Sequence, residues 1–258
     1  MADRQEVRRL ALLAAATLLA GCSASAESGG SSYTWGWYIL NPWQAKGLSN
    51  LQFLLSGLGT TVAVSLCAIA LSVLLGTVVA IGALSRSRAL NRVSRVYVEL
   101  FRSIPLLVLL LWVFYGLPVV LGLQLGVFAT GVLSLALSDS AFEAEVFRAG
   151  IQSVPKGQLE AARSIGLSWS QQMRLVVMPQ AIRVILPALG NQFVYVLKMS
   201  SLVSVIGLEE LTRRSNELNV SEYRPLEIYT FLVLEYLVLI LFVSWLVRRL
   251  ERRMAAGH

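Results

Sequence analysis

The longest run without a charged residue in this chain extends from Gly47 to Ser85. A helix needs about 20 mainly apolar residues to cross about 30 Å of hydrocarbon, so this run is long enough for one full span. The composition agrees, because 56% of the residues are apolar and only 14% are charged, against roughly 25% charged in an average soluble domain. The chain is therefore predicted to be an integral membrane protein.

Further apolar segments follow the first. The charge-free run from Ser103 to Ser138 contains four residues that favour a turn over one continuous helix, namely Gly116, Pro118, Gly122 and Gly126. We therefore divide it into two spans that meet at a short loop. The whole pattern predicts an all-α membrane protein with five transmembrane helices, at about residues 51–84, 97–117, 127–150, 181–205 and 226–247.

The distribution of basic residues predicts the orientation, because short loops rich in Lys and Arg stay in the cytoplasm. Three such regions occur: after the first span, between spans three and four, and after the last span. The turn at 117–126 has no basic residue and is predicted to lie outside. The N-terminus is then extracytoplasmic and the C-terminus cytoplasmic. Because the net charge of +7 is explained by this topology, it does not indicate nucleic-acid binding.

The N-terminal 22 residues have the pattern of an export signal. A basic start, MADRQEVRRL, precedes an apolar core, ALLAAATLLA, that is too short to span a membrane. The LAGC sequence that ends at Cys22 resembles a bacterial lipoprotein signal, in which Cys22 would be lipidated; an uncleaved anchor is the alternative. Residues 23–50 are predicted to be an extracytoplasmic linker, 51–253 the transmembrane domain and 254–258 a tail.

Residues for catalysis or metal binding are scarce. The chain has two cysteines, Cys22 and Cys67, and its one histidine is the last residue, His258. It has no Ser-His-Asp set, no GxxxxGK[ST] phosphate loop and no paired-cysteine metal spacing. We therefore predict no catalytic residue, no metal site and no cofactor in this chain, and we do not expect it to be an enzyme.

A polar, helix-forming stretch at 155–179 interrupts the apolar sequence on the predicted cytoplasmic side. Pro155 suits the first turn of a helix, and Gly166 suits the left-handed position just past its end. Ser168 and Gln171 match a capping box that opens a second helix, which Pro179 is expected to end or kink. The result would be a short exposed helix, a sharp turn and a second helix that leads into the membrane.

The same stretch resembles the EAA loop of binding-protein-dependent ABC importer permeases. It has Glu160-Ala161-Ala162, three residues, Gly166, nine residues and then Val176-Val177-Met178-Pro179, with Val176 and Met178 as conservative departures. Three more blocks are similar to the histidine/glutamine-type polar amino acid permeases: Val98 to Pro118, Ser140 to Gln158 and Tyr195 to Ile206. Met199-Ser200 departs from the Asp-Thr pair that is more common in that family.

This resemblance implies an ATP-driven importer of polar amino acids in the bacterial inner membrane that works by alternating access. The chain would pair with a second permease, either a copy or a paralogue, and with membrane lipid around them. Two ATP-binding subunits would bind ATP and Mg²⁺, and an extracytoplasmic binding protein would deliver the amino acid. The EAA helix would dock in a groove of the ATPase. The implied coupling residues are Glu160, Ala161, Ala162, Gly166 and Pro179.

Polar residues at membrane depth are candidates for the substrate path. Asn191, Tyr195 and Lys198 recur at i, i+4 and i+7 on span four and so share one helix face. Asp139 and Glu143 share a face of span three. Ionisable groups at this depth cost about 2.5–3.5 kcal/mol and usually face a bundle interior or a watery cavity. The alternative is a hydrogen-bonded seam between helices, with Lys198 reaching to the outer interface.

A second class of function uses the intramembrane acids differently. An ion-coupled secondary transporter or channel for small zwitterions would employ them as ion relays and would need no nucleotide-binding partner. Many secondary transporters contain two related halves, and this chain shows no such internal repeat. The polar 155–179 stretch also favours the importer permease.

Overall fold

The described part of this computed structural model comprises residues 33 to 255, with side chains to residue 252. The signal-like segment at 1–22, Cys22 as a lipidation site, and His258 lie outside the described residues. Within residues 33 to 255 all regular secondary structure is helical. The helices are α1 Ala45–Leu84, α2 Arg88–Ser103, α3 Leu106–Leu111, α4 Leu117–Leu121, α5 Val127–Gln152, α6 Lys156–Ser164, α7 Trp169–Gln172, α8 Met178–Met199, α9 Leu211–Glu222 and α10 Pro225–Ala255.

Four helical stretches are long and apolar enough to cross a membrane: Ala45–Leu84, Val127–Gln152, Trp169–Ile206 and Pro225–Arg252. A fifth candidate is the pair Arg88–Ser103 and Leu106–Leu121, which is bent by 101°. Counting this pair as one broken span gives the five spans of the predicted all-α fold. The third of the four stretches includes a π-helical segment at Met173–Val177 and a 3₁₀ segment at Ser200–Ile206.

The second span differs from the straight helix predicted at 97–117. It begins earlier, at Arg88, and changes direction between Ser103 and Leu106. Pro105 explains the break, because the residue before a proline is disfavoured in the α-helical region; Ile104 accordingly has φ −87° and ψ 124°. The bend places the charged residues of the predicted span on the first arm, where the guanidinium of Arg102 lies 5.1 Å from the ring centroid of Phe142.

Three other prolines, Pro118, Pro179 and Pro187, lie in helical stretches that continue through them. The expectation that the helix ends at Pro179 is wrong, because the helical stretch Trp169–Ile206 runs through it; Pro118 likewise lies in α4. A π-helical segment precedes Pro118 and Pro179, at Trp112–Gly116 and Met173–Val177 respectively. A proline ring clashes with the carbonyl of residue i−4 in an α-helix, and the wider π turn relieves that crowding.

The centre of the bundle is built by α1 against α5. Small residues on α1 allow this close approach, as is usual between membrane helices. A Cβ added at Gly76 would lie 3.0 Å from both Glu143 Cβ and the Ser140 carbonyl oxygen. An apolar cluster further along this interface joins α1, α3, α5, α8 and the 3₁₀ segment that follows α8, through Val64, Ala68, Leu110, Leu135, Val196 and Val203.

The start of α9 packs on the first half of α1. Glu210 is fully buried and caps α9, with one carboxylate oxygen accepting the Arg213 N–H at 2.8 Å and the other accepting the Tyr236 hydroxyl at 2.9 Å. The Leu211 N–H donates to the Thr61 hydroxyl oxygen of α1 at 3.2 Å. Burial is the main cause that raises the pKa of the Glu210 carboxyl above its usual value. These bonds tie α1, α9 and α10 together at one end of the bundle.

A substitution at Gly57 tests the close approach of α1 to the start of α9. A Cβ added there would lie 2.7 Å from the Glu210 carbonyl carbon and the Leu211 nitrogen, so we expect Gly57→Ala to destabilise the fold by about 1–3 kcal/mol. Gly59→Ala is the matched control, because no atom lies within 4 Å of its added Cβ; the gain in helix propensity should leave it neutral or slightly more stable. Thermal unfolding in detergent compares the two, and equal midpoints would contradict the packing described.

Candidate functional site: a coupling segment and an intramembrane polar cluster

The EAA-like residues form a short exposed helix, α6. Pro155 precedes its first residue with φ −58° and ψ 135°, and the Pro155 carbonyl accepts the Gln158 N–H at 3.0 Å. Glu160 and Ala161 face solvent, whereas Ala162 is only 4% exposed and packs inward. The predicted helix and its start after Pro155 are thus confirmed.

The turn after α6 has a defined hydrogen-bonded geometry. Gly166 has φ +80°, in the left-handed region predicted for it. The Gly166 N–H donates to the Arg163 carbonyl at 2.9 Å and the Leu167 N–H to the Ala162 carbonyl at 3.1 Å. These two bonds make a Schellman motif, which satisfies carbonyls at a helix end. The direction of the chain beyond α6 is therefore set by the backbone rather than by a flexible loop.

The predicted capping box is also present. The Ser168 N–H donates to Gln171 Oε1 at 2.8 Å, and the Gln171 N–H donates to the Ser168 hydroxyl oxygen at 3.4 Å. Gln172 Nε2 donates to the Leu167 carbonyl at 2.7 Å. The chain then stays helical from Trp169 to Ile206. One short turn therefore joins α6 to a helical stretch of membrane-spanning length.

The surface of this segment carries exposed apolar groups. Ile165 is 76% exposed and Trp169 is 69% exposed. The Glu160 carboxylate makes no hydrogen bond or ion pair with any other described residue, although its backbone carbonyl accepts the Ser164 hydroxyl at 3.0 Å. Glu160, Ile165 and Trp169 therefore form a small protruding surface with one carboxylate and two large apolar side chains exposed.

A polar cluster lies between α1, α5 and α8. Asp139 is 3% exposed; Ser72 of α1 donates its hydroxyl to Oδ2 at 2.9 Å, and Gln192 of α8 donates its amide to Oδ1. One carboxylate thus joins three helices. A buried polar group must be hydrogen-bonded to avoid a large free-energy cost, and Asp139 meets this requirement within the chain.

Glu143 lies one helical turn beyond Asp139 and is fully buried. Within the described residues neither of its carboxylate oxygens has a hydrogen-bond partner. Gly76 of α1 faces it directly, since a Cβ added there would touch Glu143 Cβ. The two acids predicted on one face of span three are therefore both interior to the chain, but only one of them is hydrogen-bonded.

The other three candidates for the substrate path lie elsewhere. Asn191, Tyr195 and Lys198 share a face of α8, as predicted, and all three are exposed on the outside of the single chain. The structure therefore separates the candidates into a buried pair on α5 and an exposed stripe on α8. Gln192, the neighbour of Asn191, is the residue of α8 that reaches Asp139.

The sequence pattern did not identify Gln192 or Ser72 as partners of Asp139. Ser72 is one of several hydroxyl residues in the apolar run of α1, and nothing in the pattern separates it from Ser65 or Thr61. For Gln192 a signal does exist, because it is a polar residue one position away from the Asn191 stripe and therefore points roughly 100° from it. Only a known α5–α8 contact turns that direction into a partner.

The chain matches the family model described as "Binding-protein-dependent transport system inner membrane component" over residues 72–256. It is 40% identical over 209 residues to the "Probable glutamine ABC transporter permease protein GlnM" of Bacillus subtilis (strain 168), covering 81% of this chain and 96% of that protein. It is 32% identical over 210 residues to the "Arginine transport system permease protein ArtQ" of the same organism, and this match covers 81% of this chain and 96% of that protein.

A solved structure described as an amino acid ABC transporter with histidines is also similar. Its TM-score is 0.78 at 38% sequence identity, and the match covers 86% of this chain and 100% of that chain. The MetNI methionine ABC transporter has the same fold, with a TM-score of 0.69 at 21% identity over 80% of this chain and 98% of that chain.

The fold, the EAA-like segment and these matches define one class of protein, the membrane-spanning permeases of ABC importers. The chain belongs to the family of inner membrane components of binding-protein-dependent transport systems. It is a transport subunit with several membrane-spanning helices, and the importer resemblance found in its sequence is confirmed.

The Asp139 cluster makes a testable contribution to stability. Gln192→Leu keeps a side chain of similar size but removes the donor to Asp139 Oδ1, so we expect the unfolding free energy to fall by about 1–3 kcal/mol. Asn191→Leu, one position earlier on the exposed stripe, is the control and should change stability little. Thermal unfolding of the purified chain in detergent measures both. A Gln192→Leu variant as stable as the control would contradict a structural role for the cluster.

Proposed function

We propose that this chain is the permease of an ATP-driven importer for polar amino acids, with glutamine and arginine as the representative substrates. The names of the relatives, a glutamine and an arginine permease, support this class, as does the similarity to a solved amino acid ABC transporter. ATP and Mg²⁺ bind to two separate ATPase subunits, and an extracytoplasmic binding protein delivers the amino acid.

The observation that carries the mechanism is the exposed α6 helix joined by a hydrogen-bonded turn to a continuous helix. Ala161 on its exposed side is small enough to let a partner surface approach closely, while Glu160 offers a charge-assisted hydrogen bond to a basic group. Closure of the ATPase pulls α6, and the Gly166 turn passes the movement to the helical stretch that starts at Trp169. The two permeases then rock, the path opens outward and hydrolysis resets it.

The exposed stripe on α8 supports a substrate path between two permeases. Polar and charged groups that face hydrocarbon are costly, so Asn191, Tyr195 and Lys198 are better accommodated against a second permease subunit and a water-filled path. Lys198 forms no ion pair within the described residues, so it can meet the carboxylate of a zwitterion. The buried side of the same helix is held by the hydrogen bond from Gln192 to Asp139.

The proposed orientation places α6 and the arginines after α1 in the cytoplasm of a bacterial cell. Arg86, just after α1, and Trp169, the first residue of α7 beyond the turn that follows α6, line one cavity. They therefore lie at the same end of the bundle, and Glu210 and Gly57 mark the opposite end of α1. The basic residues at the first end support a cytoplasmic location, with the N-terminus outside and the chain in the inner membrane.

Gly166→Val should uncouple transport from ATP hydrolysis. A β-branched residue is strained by about 1–3 kcal/mol at a positive φ, so the Schellman turn would open and α6 would no longer direct α8. Gly122→Val, at a similar positive φ of +67° just after α4 and with no atom within 4 Å of the added Cβ, is the control. Uptake and ATPase activity of the complete importer in proteoliposomes are measured together; we expect ATP use to continue with reduced uptake in the Gly166 variant only.

Glu160→Lys tests the same contact between α6 and the ATPase, because it reverses the charge offered to the ATPase. We expect it also to reduce uptake while ATP hydrolysis continues. Normal coupling in both variants would contradict the docking role. Uptake that continues without ATP and stops when the proton or sodium gradient is removed would instead support an ion-coupled carrier.

Lys198→Gln tests the substrate path. If the ammonium meets the substrate carboxylate, its loss removes a charge-assisted hydrogen bond of about 1.5–3 kcal/mol, which should raise the KM of the transport step by about 10- to 100-fold. Uptake is measured over a series of concentrations of loaded binding protein, from well below to well above saturation, so that KM and the maximal rate are obtained separately. Arg252→Gln, with the same charge change at the end of α10, is the control. An unchanged uptake profile for Lys198→Gln would favour a side chain that only extends to the interface.

A further inference from the structure

An apolar groove of about 1080 Å³ runs between α1 and α8. Its volume is at the upper limit of the roughly 300–1,000 Å³ of most small-molecule pockets. The two facing walls are represented by Thr77, Ile81 and Leu84 on α1 and by Ile182, Ile185 and Leu189 on α8. Among the described residues that line this groove, Arg86 at one end is the only charged one.

A basic pocket of about 400 Å³ adjoins this end of the groove. Its lining contains four arginines and three small polar residues, namely Arg86, Arg88, Arg92, Arg95, Ser85, Ser87 and Asn91. No carboxylate lines it. The ion pairs of the described chain all involve other basic residues, so these four guanidinium groups have no acidic partner there.

Ser85 and Arg86 line both the groove and the basic pocket, so the two spaces adjoin each other. The exposed apolar residues of α2 extend the apolar surface beyond the arginines, on a different face of the helix: Leu90, Val93, Val96 and Leu100. The corner where the basic pocket meets the groove, at Ser85 and Arg86, is therefore strongly cationic on the side of the pocket. The groove and the exposed face of α2 that extend from it are apolar. A ligand that fits both parts has an anionic head and a hydrocarbon body.

We propose that this corner is a binding site for an anionic phospholipid, with its phosphate-containing head in the arginine pocket and an acyl chain in the groove between α1 and α8. A free phosphate would satisfy the arginines but would leave the groove unfilled. A neutral lipid would fill the groove without neutralising four guanidinium groups. Anionic lipid attracts basic segments by about 1 kcal/mol for each Lys or Arg near the membrane surface, so the charge complementarity favours this occupant.

The site is independent of the proposed transport activity, because it requires only the membrane and this chain. It does adjoin the coupling segment, since Trp169, Met173 and Met178 line the same groove. Bound lipid would therefore touch the helix that follows the Gly166 turn.

Lipid retention tests the headgroup pocket. The purified full-length chain is delipidated in detergent and incubated with palmitoyl-oleoyl phosphatidylglycerol or phosphatidylcholine. Native mass spectrometry then measures the fraction of the chain that retains each lipid. We expect a preference for phosphatidylglycerol that falls by about fivefold for each arginine removed, and so on the order of 100-fold in the Arg88→Gln/Arg92→Gln/Arg95→Gln variant. The control variant Arg248→Gln/Arg249→Gln/Arg252→Gln loses the same charge at the end of α10 and should keep the preference.

A fluorescent label tests the groove. Bimane is attached to Ile182→Cys, with Val220→Cys on α9 as the control position, in a chain whose Cys22 and Cys67 are replaced by Ser. Acyl-brominated phosphatidylglycerol should quench the Ile182 label more than brominated phosphatidylcholine does, and the difference should vanish in the triple arginine variant. The Val220 label should show no such difference.

Three outcomes would overturn the proposal. Equal retention of the two lipids by the unaltered chain would contradict the binding of an anionic headgroup in the arginine pocket. Identical quenching of the Ile182 label by both lipids would mean that the groove contacts bilayer lipid without selecting the anionic one. An Ile182 label that no lipid quenches would mean that protein, such as a second permease, covers the groove.

Discussion

The hydrocarbon of a bilayer offers no hydrogen bonds, so every backbone donor and acceptor within it must be satisfied inside the chain. All regular structure in the described residues is helical for this reason. Pro105, Pro118 and Pro179 show how strictly this constraint acts. Pro118 and Pro179 are each preceded by a π-helical segment that keeps the helix continuous, whereas at Pro105 the chain bends and starts a new helix.

The same constraint explains the polar centre of the bundle. Asp139 is tolerated between α1, α5 and α8 because Ser72 and Gln192 donate to its two oxygens, and Gly76 lets α1 approach α5 closely enough to bury Glu143. Small side chains and paired polar groups thus replace the hydrophobic driving force, which is weak between helices that are already in lipid. The cluster connects the helix that follows the coupling segment to the core.

Only a short turn separates the exposed helix α6 from the membrane-spanning stretch that begins at Trp169. α6 ends in a Schellman motif at Gly166, a capping box restarts the helix at Trp169, and the helical path then reaches Gln192 and its bond to Asp139. Asn191, Tyr195 and Lys198 lie on another face of the same helix. One helical stretch therefore follows the Gly166 turn and carries both the anchor to α5 and the polar stripe proposed for the substrate path.

The sequence by itself determined the features that depend on local chemistry. Apolar runs defined the spans, Gly166 defined a left-handed turn, Ser168 and Gln171 defined a capping box, and the EAA-like spacing defined the family. These follow from one residue and its near neighbours in the chain. The outcome at the prolines was harder to predict, because a proline in a membrane helix can bend the chain, end a helix or follow a π turn, and packing against other helices selects among these.

The tertiary structure alone decided which polar residues meet. Residues 139 and 143 share a helix face by periodicity, but only the packing of α1 and α8 shows that Asp139 is hydrogen-bonded and Glu143 is not. The apolar groove beside the arginine pocket is likewise not visible in the sequence, since the walls of the groove come from distant segments of the chain. Sequence periodicity assigns directions around one helix, whereas a site needs distances between several, and helix packing sets those distances.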